Sequence, residues 1–185
     1  MKSKKILLPL FVLLVLAQWY VPAKMIWDRE DILDTGTEYK FRTAPIDPND
    51  PFRGKYISLN YQENWLELTD DADWERGETV YVLLSKDEGG FANIASVSKE
   101  RPTGKGDFLK AKVSFISGDQ PKRLVIDYPF DRFYMEETKA KEAEKTYFES
   151  LRDSSQVTYS LVNIKNGEAV LKDVLIDGVS IGDFK

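Results

Sequence analysis

The first 24 residues, MKSKKILLPLFVLLVLAQWYVPAK, limit this chain more than any other stretch. From Ile6 to Val21 only Gln18 is strongly polar, with Lys2, Lys4 and Lys5 before the run and Lys24 after it. Lysines so cleanly placed at both ends disfavour a buried core helix. At about 1.5 Å per residue, positions 6–21 rise about 24 Å, against a hydrocarbon core of about 30 Å. Two readings stay open. One is a membrane anchor, with Trp19 and Tyr20 at the interface and the Lys24 stem snorkelling. The other is a cleavable signal peptide, whose apolar region is commonly this short. Val15-Leu16-Ala17 and Val21-Pro22-Ala23 both offer small-residue cleavage patterns, and Pro9 is compatible with either reading. In both, the basic N-terminus stays on the cytoplasmic side and the remainder is exported.

That remainder is acidic. Four of the 26 basic residues lie in residues 1–24, which hold no acid, so residues 25–185 set 22 bases against 31 acids, a net of −9. Such a domain repels phosphate backbones, which argues against a nucleic-acid partner and fits simple solubility. The chain has no cysteine and no histidine. Disulfides, thiol nucleophiles, imidazole or thiolate metal ligands, Ser-His pairs and an acylated-cysteine anchor are thereby excluded. No cofactor is expected.

Beyond residue 25 the pattern is mainly β. Residues 25–38 are helix-compatible or a linker, and Tyr39, Phe41 and Thr43 alternate with charged neighbours as a strand does. PIDPNDP cannot be regular structure, because each proline lacks a donor and restricts its predecessor. KYISLNY predicts one strand over 55–61, with Ile57, Leu59 and Tyr61 on one face and Tyr56, Ser58 and Asn60 on the other. Strands at 79–85 and 91–98 flank Asp87-Glu88-Gly89-Gly90, a hairpin signal. Further strands are expected at 108–117 and at 123–128, the latter ended by Pro129. The period then changes over 136–153, where Ala140, Ala143, Tyr147, Phe148 and Leu151 share one helical face. Asn166-Gly167 and Asp177-Gly178 mark two tight turns between the last strands. The expectation is eight or nine strands with one amphipathic helix, as a β-barrel-like or sandwich domain behind an N-terminal transmembrane helix. Its division is 1–24 anchor or signal, 25–38 linker and 39–185 β-rich domain.

Candidate chemistry is thin. Asp47, Asp50, Asp70, Asp71, Asp73 and Glu75 lack the order and terminal glutamate of a calcium loop, so no metal site is expected. KERPTGKGD at 99–107 lacks phosphate-loop order. Without histidine a Ser-Lys dyad is the remaining nucleophile arrangement, yet Ser58 and Lys55 fall on opposite faces of an alternating strand. Tyr56, Tyr61, Trp65, Trp74, Tyr81, Tyr128, Phe130, Phe133 and Tyr134 crowd the middle of the chain and are expected chiefly in the core.

RGKYISLNY resembles the signature of the GDYXXLXY protein family, with Gly54, Tyr56, Leu59 and Tyr61 in the matching places. The likeness extends to the preceding DPNDPF, to DYPFDRFYMEE at 127–137 and to GEAVLKDVLIDG at 167–178. It implies a bacterial protein with an N-terminal membrane segment, from a family without an assigned biochemical activity, commonly encoded beside multi-pass membrane proteins. Lys55 stands where the family signature has aspartate. An essential acid could not be replaced by lysine, so the departure favours a structural motif at Gly54, Tyr56, Leu59 and Tyr61 over a catalytic one. The leading expectation is a non-enzymatic accessory subunit, held in the cytoplasmic membrane by residues 6–21 and docking on a multi-pass membrane protein or envelope component. An envelope enzyme of the Ser-Lys peptidase kind and a secreted ligand-binding module are the alternatives.

Overall fold

The structure, a computed structural model, describes residues 2–45, 56–68, 73–104, 106–117 and 121–183. An unbroken helix, α1 (Lys2–Thr35), carries Pro9 and Pro22 within it and realises the helix-compatible reading of residues 25–35. From Leu7 to Trp27 none of its side chains is buried: Leu7, Leu13, Trp19, Met25 and Trp27 are all exposed. Its last two turns are held. Ile32 is buried, the Arg29 guanidinium donates to the Ala169 carbonyl at 2.9 Å, and the Asn163 amide donates to the Leu33 carbonyl at 2.7 Å. The Lys165 ammonium lies 2.6 Å from Asp31. Gly36 then turns the chain into the first strand with its N–H on the Ile32 carbonyl.

Among the described residues twelve strands follow, β1 (Thr37–Ala44), β2 (Tyr56–Ser58), β3 (Asn60–Tyr61), β4 (Trp65–Glu67), β5 (Thr79–Lys86), β6 (Ala92–Ser98), β7 (Phe108–Ser117), β8 (Arg123–Asp127), β9 (Arg132–Tyr134), β10 (Thr158–Lys165), β11 (Glu168–Ile176) and β12 (Val179–Ser180). Helix α2 (Glu137–Arg152) sits between β9 and β10, and a 3-10 turn at Ile181–Asp183 follows β12. The described strands outnumber the eight or nine expected because several hold two or three residues, too short to show a period. One five-stranded sheet runs β12-β11-β10-β1-β3 and another β4-β8-β7-β5-β6, with β2 and β9 paired apart from both. Of the two architectures left open, the result is a nearly closed, barrel-like sheet.

Glycine-bearing turns join the two large sheets. The Lys40 N–H reaches the Gly90 carbonyl and the Lys110 N–H reaches the Gly167 carbonyl, at 3.2 and 2.9 Å. Asn166 and Gly167 both have positive φ, 55° and 92°, the geometry of a two-residue primed turn between Lys165 and Glu168. That turn rests on β7 so closely that a Cβ on Gly167 would lie 2.6 Å from the Phe108 ring. Inside the sheets, Val80, Val82, Leu109, Val113, Leu124, Ile126, Val162 and Ile164 form the aliphatic core. Helix α2 covers it with Ala140, Ala143 and Tyr147, the face its spacing predicts, while Phe148 and Leu151 are half-buried beside them.

The junction at Gly36 is tight: a Cβ there would meet the Ile32 carbonyl oxygen at 2.4 Å and the Ile164 backbone at 3.2 Å. Gly36→Ala therefore forces backbone to move, at a cost of about 1–3 kcal/mol. Gly104, whose Cβ would meet nothing within 4 Å, provides the control. Thermal melts of the full chain in detergent should show a lowered midpoint for Gly36→Ala and none for Gly104→Ala; equal midpoints would mean the junction is loose.

Candidate functional site

The segment Tyr56–Tyr61 alternates as its sequence predicts: Ile57, Leu59 and Tyr61 are buried, while Tyr56, Ser58 and Asn60 are half-buried. It is not one strand, however. As β2 it pairs with β9, Tyr56 opposite Tyr134 and Ser58 opposite Arg132, and as β3 it pairs with β1, Tyr61 opposite Thr43. The exchange happens at Leu59, whose N–H donates to the Asp131 carbonyl at 2.8 Å. A change of partner leaves no trace in the alternation, since inward and outward sides are kept across it. Gly54 and Lys55 lie outside the described residues, as do Asp47, Asp50, Asp70 and Asp71.

Inward, Tyr61 completes a box of four rings. Phe41 of β1 stands edge-on to Tyr61, Tyr128 and Phe130, with centroids 5.7, 5.4 and 5.0 Å away. Tyr128 and Phe130 stack at 5.2 Å with 7° between their planes, the turn around Pro129 bringing them face to face. The Tyr61 hydroxyl donates to the Phe130 carbonyl at 2.8 Å and lies 3.3 Å from the Ser160 hydroxyl. Tyr128 donates to the Glu63 carbonyl. Burial pushes the phenols of Tyr61 and Tyr128 well above the ordinary 10.0, as it does that of Tyr147 on the inner face of α2. All three are therefore neutral at physiological pH, and none is poised as a base.

Outward, the face is cationic and aromatic. Tyr56 lies against Tyr134 at 5.5 Å with the Arg132 guanidinium 5.0 Å above its ring. This places Tyr56 against the FDRFY segment. On the outer side of β1, the Arg42 guanidinium covers the Phe91 ring at 3.7 Å and also reaches Glu63 and Asp87, each at 3.1 Å. Lys40 lies over Phe91 and Tyr159 at 5.5 and 5.7 Å. The N–H of Phe91, then the Arg42 guanidinium, hold the Asp87 carboxyl below its usual range. These contacts fasten the β5–β6 turn to β1 and β10. The two serines buried among the described residues are occupied similarly: Ser160 with Tyr61, and Ser150 with the Tyr147 carbonyl and, at 2.8 Å, the Thr158 hydroxyl.

The expected aromatic core is realised in part. Tyr61, Trp74, Tyr128 and Phe130 are buried, and Tyr56, Tyr81 and Phe133 are half-buried. Trp65 is 41% exposed and Tyr134 is 64% exposed, so these two are corrections. Each belongs to a three-residue strand and finds a surface partner for its ring, Arg123 over Trp65 at 4.3 Å and Tyr56 against Tyr134 at 5.5 Å. The spacing of short strands does not reveal such cover. The partners Phe41, Ser160, Arg42 and Phe91 were not singled out as site residues; Phe41 was legible only as a strand position. Among the described residues no group of three or more carboxylates could hold a metal ion. A cleft of about 380 Å³ lies beside the box, lined by Thr79, Lys110, Lys112, Tyr128, Pro129 and Glu168 among others.

The model of the GDYXXLXY protein family matches residues 18–174, and the chain belongs to that family. The match runs from within α1 to β11 and so takes in the box, the Leu59 exchange and the α1 junction. No curated protein and no solved structure matches the chain.

Leu59→Ala should destabilise by about 2–5 kcal/mol, since it empties a buried site where two strand pairings meet. An unchanged denaturation midpoint would show that the exchange tolerates a void. Tyr61→Phe keeps the ring and removes the donor to Phe130, and should cost about 1–2 kcal/mol. Raised phenol values also set a direction with pH. Below 10.0 the phenols are protonated in folded and unfolded chains alike, and stability is intact. Above it the unfolded chain releases protons that the folded one keeps, so stability falls as pH climbs. Phenolate absorbance should rise in two stages, exposed tyrosines first and Tyr61, Tyr128 and Tyr147 only on unfolding; a single early rise would contradict the burial.

Proposed function

We propose that this member of the GDYXXLXY family is a non-enzymatic accessory subunit on the outer side of the cytoplasmic membrane, docking on a multi-pass membrane protein or envelope component. In this reading residues 1–24 anchor it, residues 25–38 connect, and residues 39–185 form the working domain. Gly54, Tyr56, Leu59 and Tyr61 shape that domain and do no chemistry. The observation that carries the proposal is α1 itself. It is long and apolar enough to cross a membrane, none of the qualifying stretch is buried against the chain, and it runs without a break into a clamp on β10 and β11. Apolar side chains so exposed are costly in water, each worth about 1.5–3 kcal/mol on burial, and lipid removes that cost. Lysines at 2, 4 and 5 support an inside N-terminus. The buried phenols and the occupied serines support a scaffold over a reaction centre.

The absence of native cysteine makes topology directly measurable. Single substitutions Ser3→Cys and Glu88→Cys should report opposite sides to a membrane-impermeant maleimide. Glu88→Cys should label in cells with an intact cytoplasmic membrane, and Ser3→Cys only after permeabilisation. The chain should resist carbonate extraction with Met1 retained. Release of a chain starting after Ala17 or Ala23 would favour the secreted module instead. Repeated recovery of the intact chain alone from mild detergent would remove the accessory role.

A further inference from the structure

We infer that the lipid-covered part of α1 extends through Trp27 and that the β domain is clamped directly onto the outer headgroup layer, with no flexible tether between them. The inference rests on the anchored reading above and adds where the bilayer ends. An apolar stretch ending at Val21 would leave six helical residues in water before the charged turn. Three of those six are Met25, Ile26 and Trp27, exposed by 64, 64 and 77%. Among the described residues no group covers them, and four charged residues, Asp28, Arg29, Glu30 and Asp31, follow at once. From Leu7 to Trp27 the 21 helical positions rise about 32 Å, matching a hydrocarbon core of about 30 Å. Lys24 is the single charge within that stretch, and its ammonium already reaches one turn outward to Asp28 at 2.6 Å. That is the direction a snorkelling lysine takes toward an outer interface. Trp27 then occupies the interfacial layer that tryptophan favours.

The clamp begins two residues later. Arg29 is bonded to β11, Asp31 and the Leu33 carbonyl to β10, and Gly36 turns at once into β1. Asp28 alone separates Trp27 from the first of these contacts. The β10–β11 side of the domain is therefore held close to the lipid surface, in one orientation set by the helix.

The test uses the full-length chain in vesicles of phosphatidylethanolamine and phosphatidylglycerol. Single cysteines Val21→Cys, Met25→Cys, Ile26→Cys and Glu30→Cys are labelled from outside with an impermeant maleimide, each normalised to Glu88→Cys. The expected result is loss of labelling at 21, 25 and 26 until detergent is added, with Glu30→Cys labelled like Glu88→Cys. Labelling at 25 and 26 with position 21 still protected would overturn the inference and leave the anchor standing. Protection at 25 and 26 in native membranes but not in vesicles would also overturn it, assigning these residues to a protein partner. Free labelling at 21 together with carbonate extraction would instead sink the anchored reading itself.

Discussion

The packing of Phe41 among Tyr61, Tyr128 and Phe130 is the contact on which the rest of the domain depends. The four rings come from three pieces of the fold: Phe41 from β1, Tyr61 from β3, and both Tyr128 and Phe130 from the turn that leads from β8 to β9. Edge-on aromatic pairs contribute about 0.5–1.5 kcal/mol beyond their buried area. Four rings in mutual contact therefore bind three segments that share little backbone pairing. The exchange at Leu59 is possible because of them. A strand that leaves β9 for β1 breaks its ladder, and the Tyr61 hydroxyl on the Phe130 carbonyl spans the break from inside.

Much of this architecture could be read from local pattern. The two primed turns, the hairpin at Asp87–Gly90 and the apolar face of α2 all rest on neighbours within a few residues, and each is found where it was expected. The inward set Ile57, Leu59 and Tyr61 was legible for the same reason. What could not be read was pairing between distant segments. Alternation says which side a residue faces, not whether β9 or β1 lies alongside. Phe41 and Phe130, 89 positions apart, carry no mutual signal in one sequence. Trp65 and Tyr134 failed for a related reason, since a tryptophan capped by an arginine tolerates exposure that its apolar area alone would forbid.

Cations in an acidic domain are put to a consistent use. Arg42, Arg123 and Arg132 lie over Phe91, Trp65 and Tyr56, and Arg42 also forks to two carboxylates. Exposed ion pairs contribute little by themselves, about 0–1 kcal/mol, but a guanidinium laid on a ring also excludes water from it. The effect is to fasten outer layers to inner strands. A catalytic cleft places charge where a substrate develops charge; here the charges are spent on neighbouring rings and carboxylates of the same domain.

The end of α1 shows how the two halves of the chain constrain each other. A helix leaves its last carbonyls without internal partners, and this one has no basic residue in its own final turn to answer them. The sheet supplies what is missing: Asn163 donates to Leu33, and Lys165 brings an ammonium to Asp31 and the Thr35 hydroxyl. Both residues lie on β10, the strand that also pairs with β1 just past Gly36. Helix cap and first strand pairing are thus satisfied by one strand at one place, with Ile32 buried at the same junction. Separating helix from sheet would expose all three at once, so the orientation of the domain on its helix is fixed by the same contacts that complete the fold.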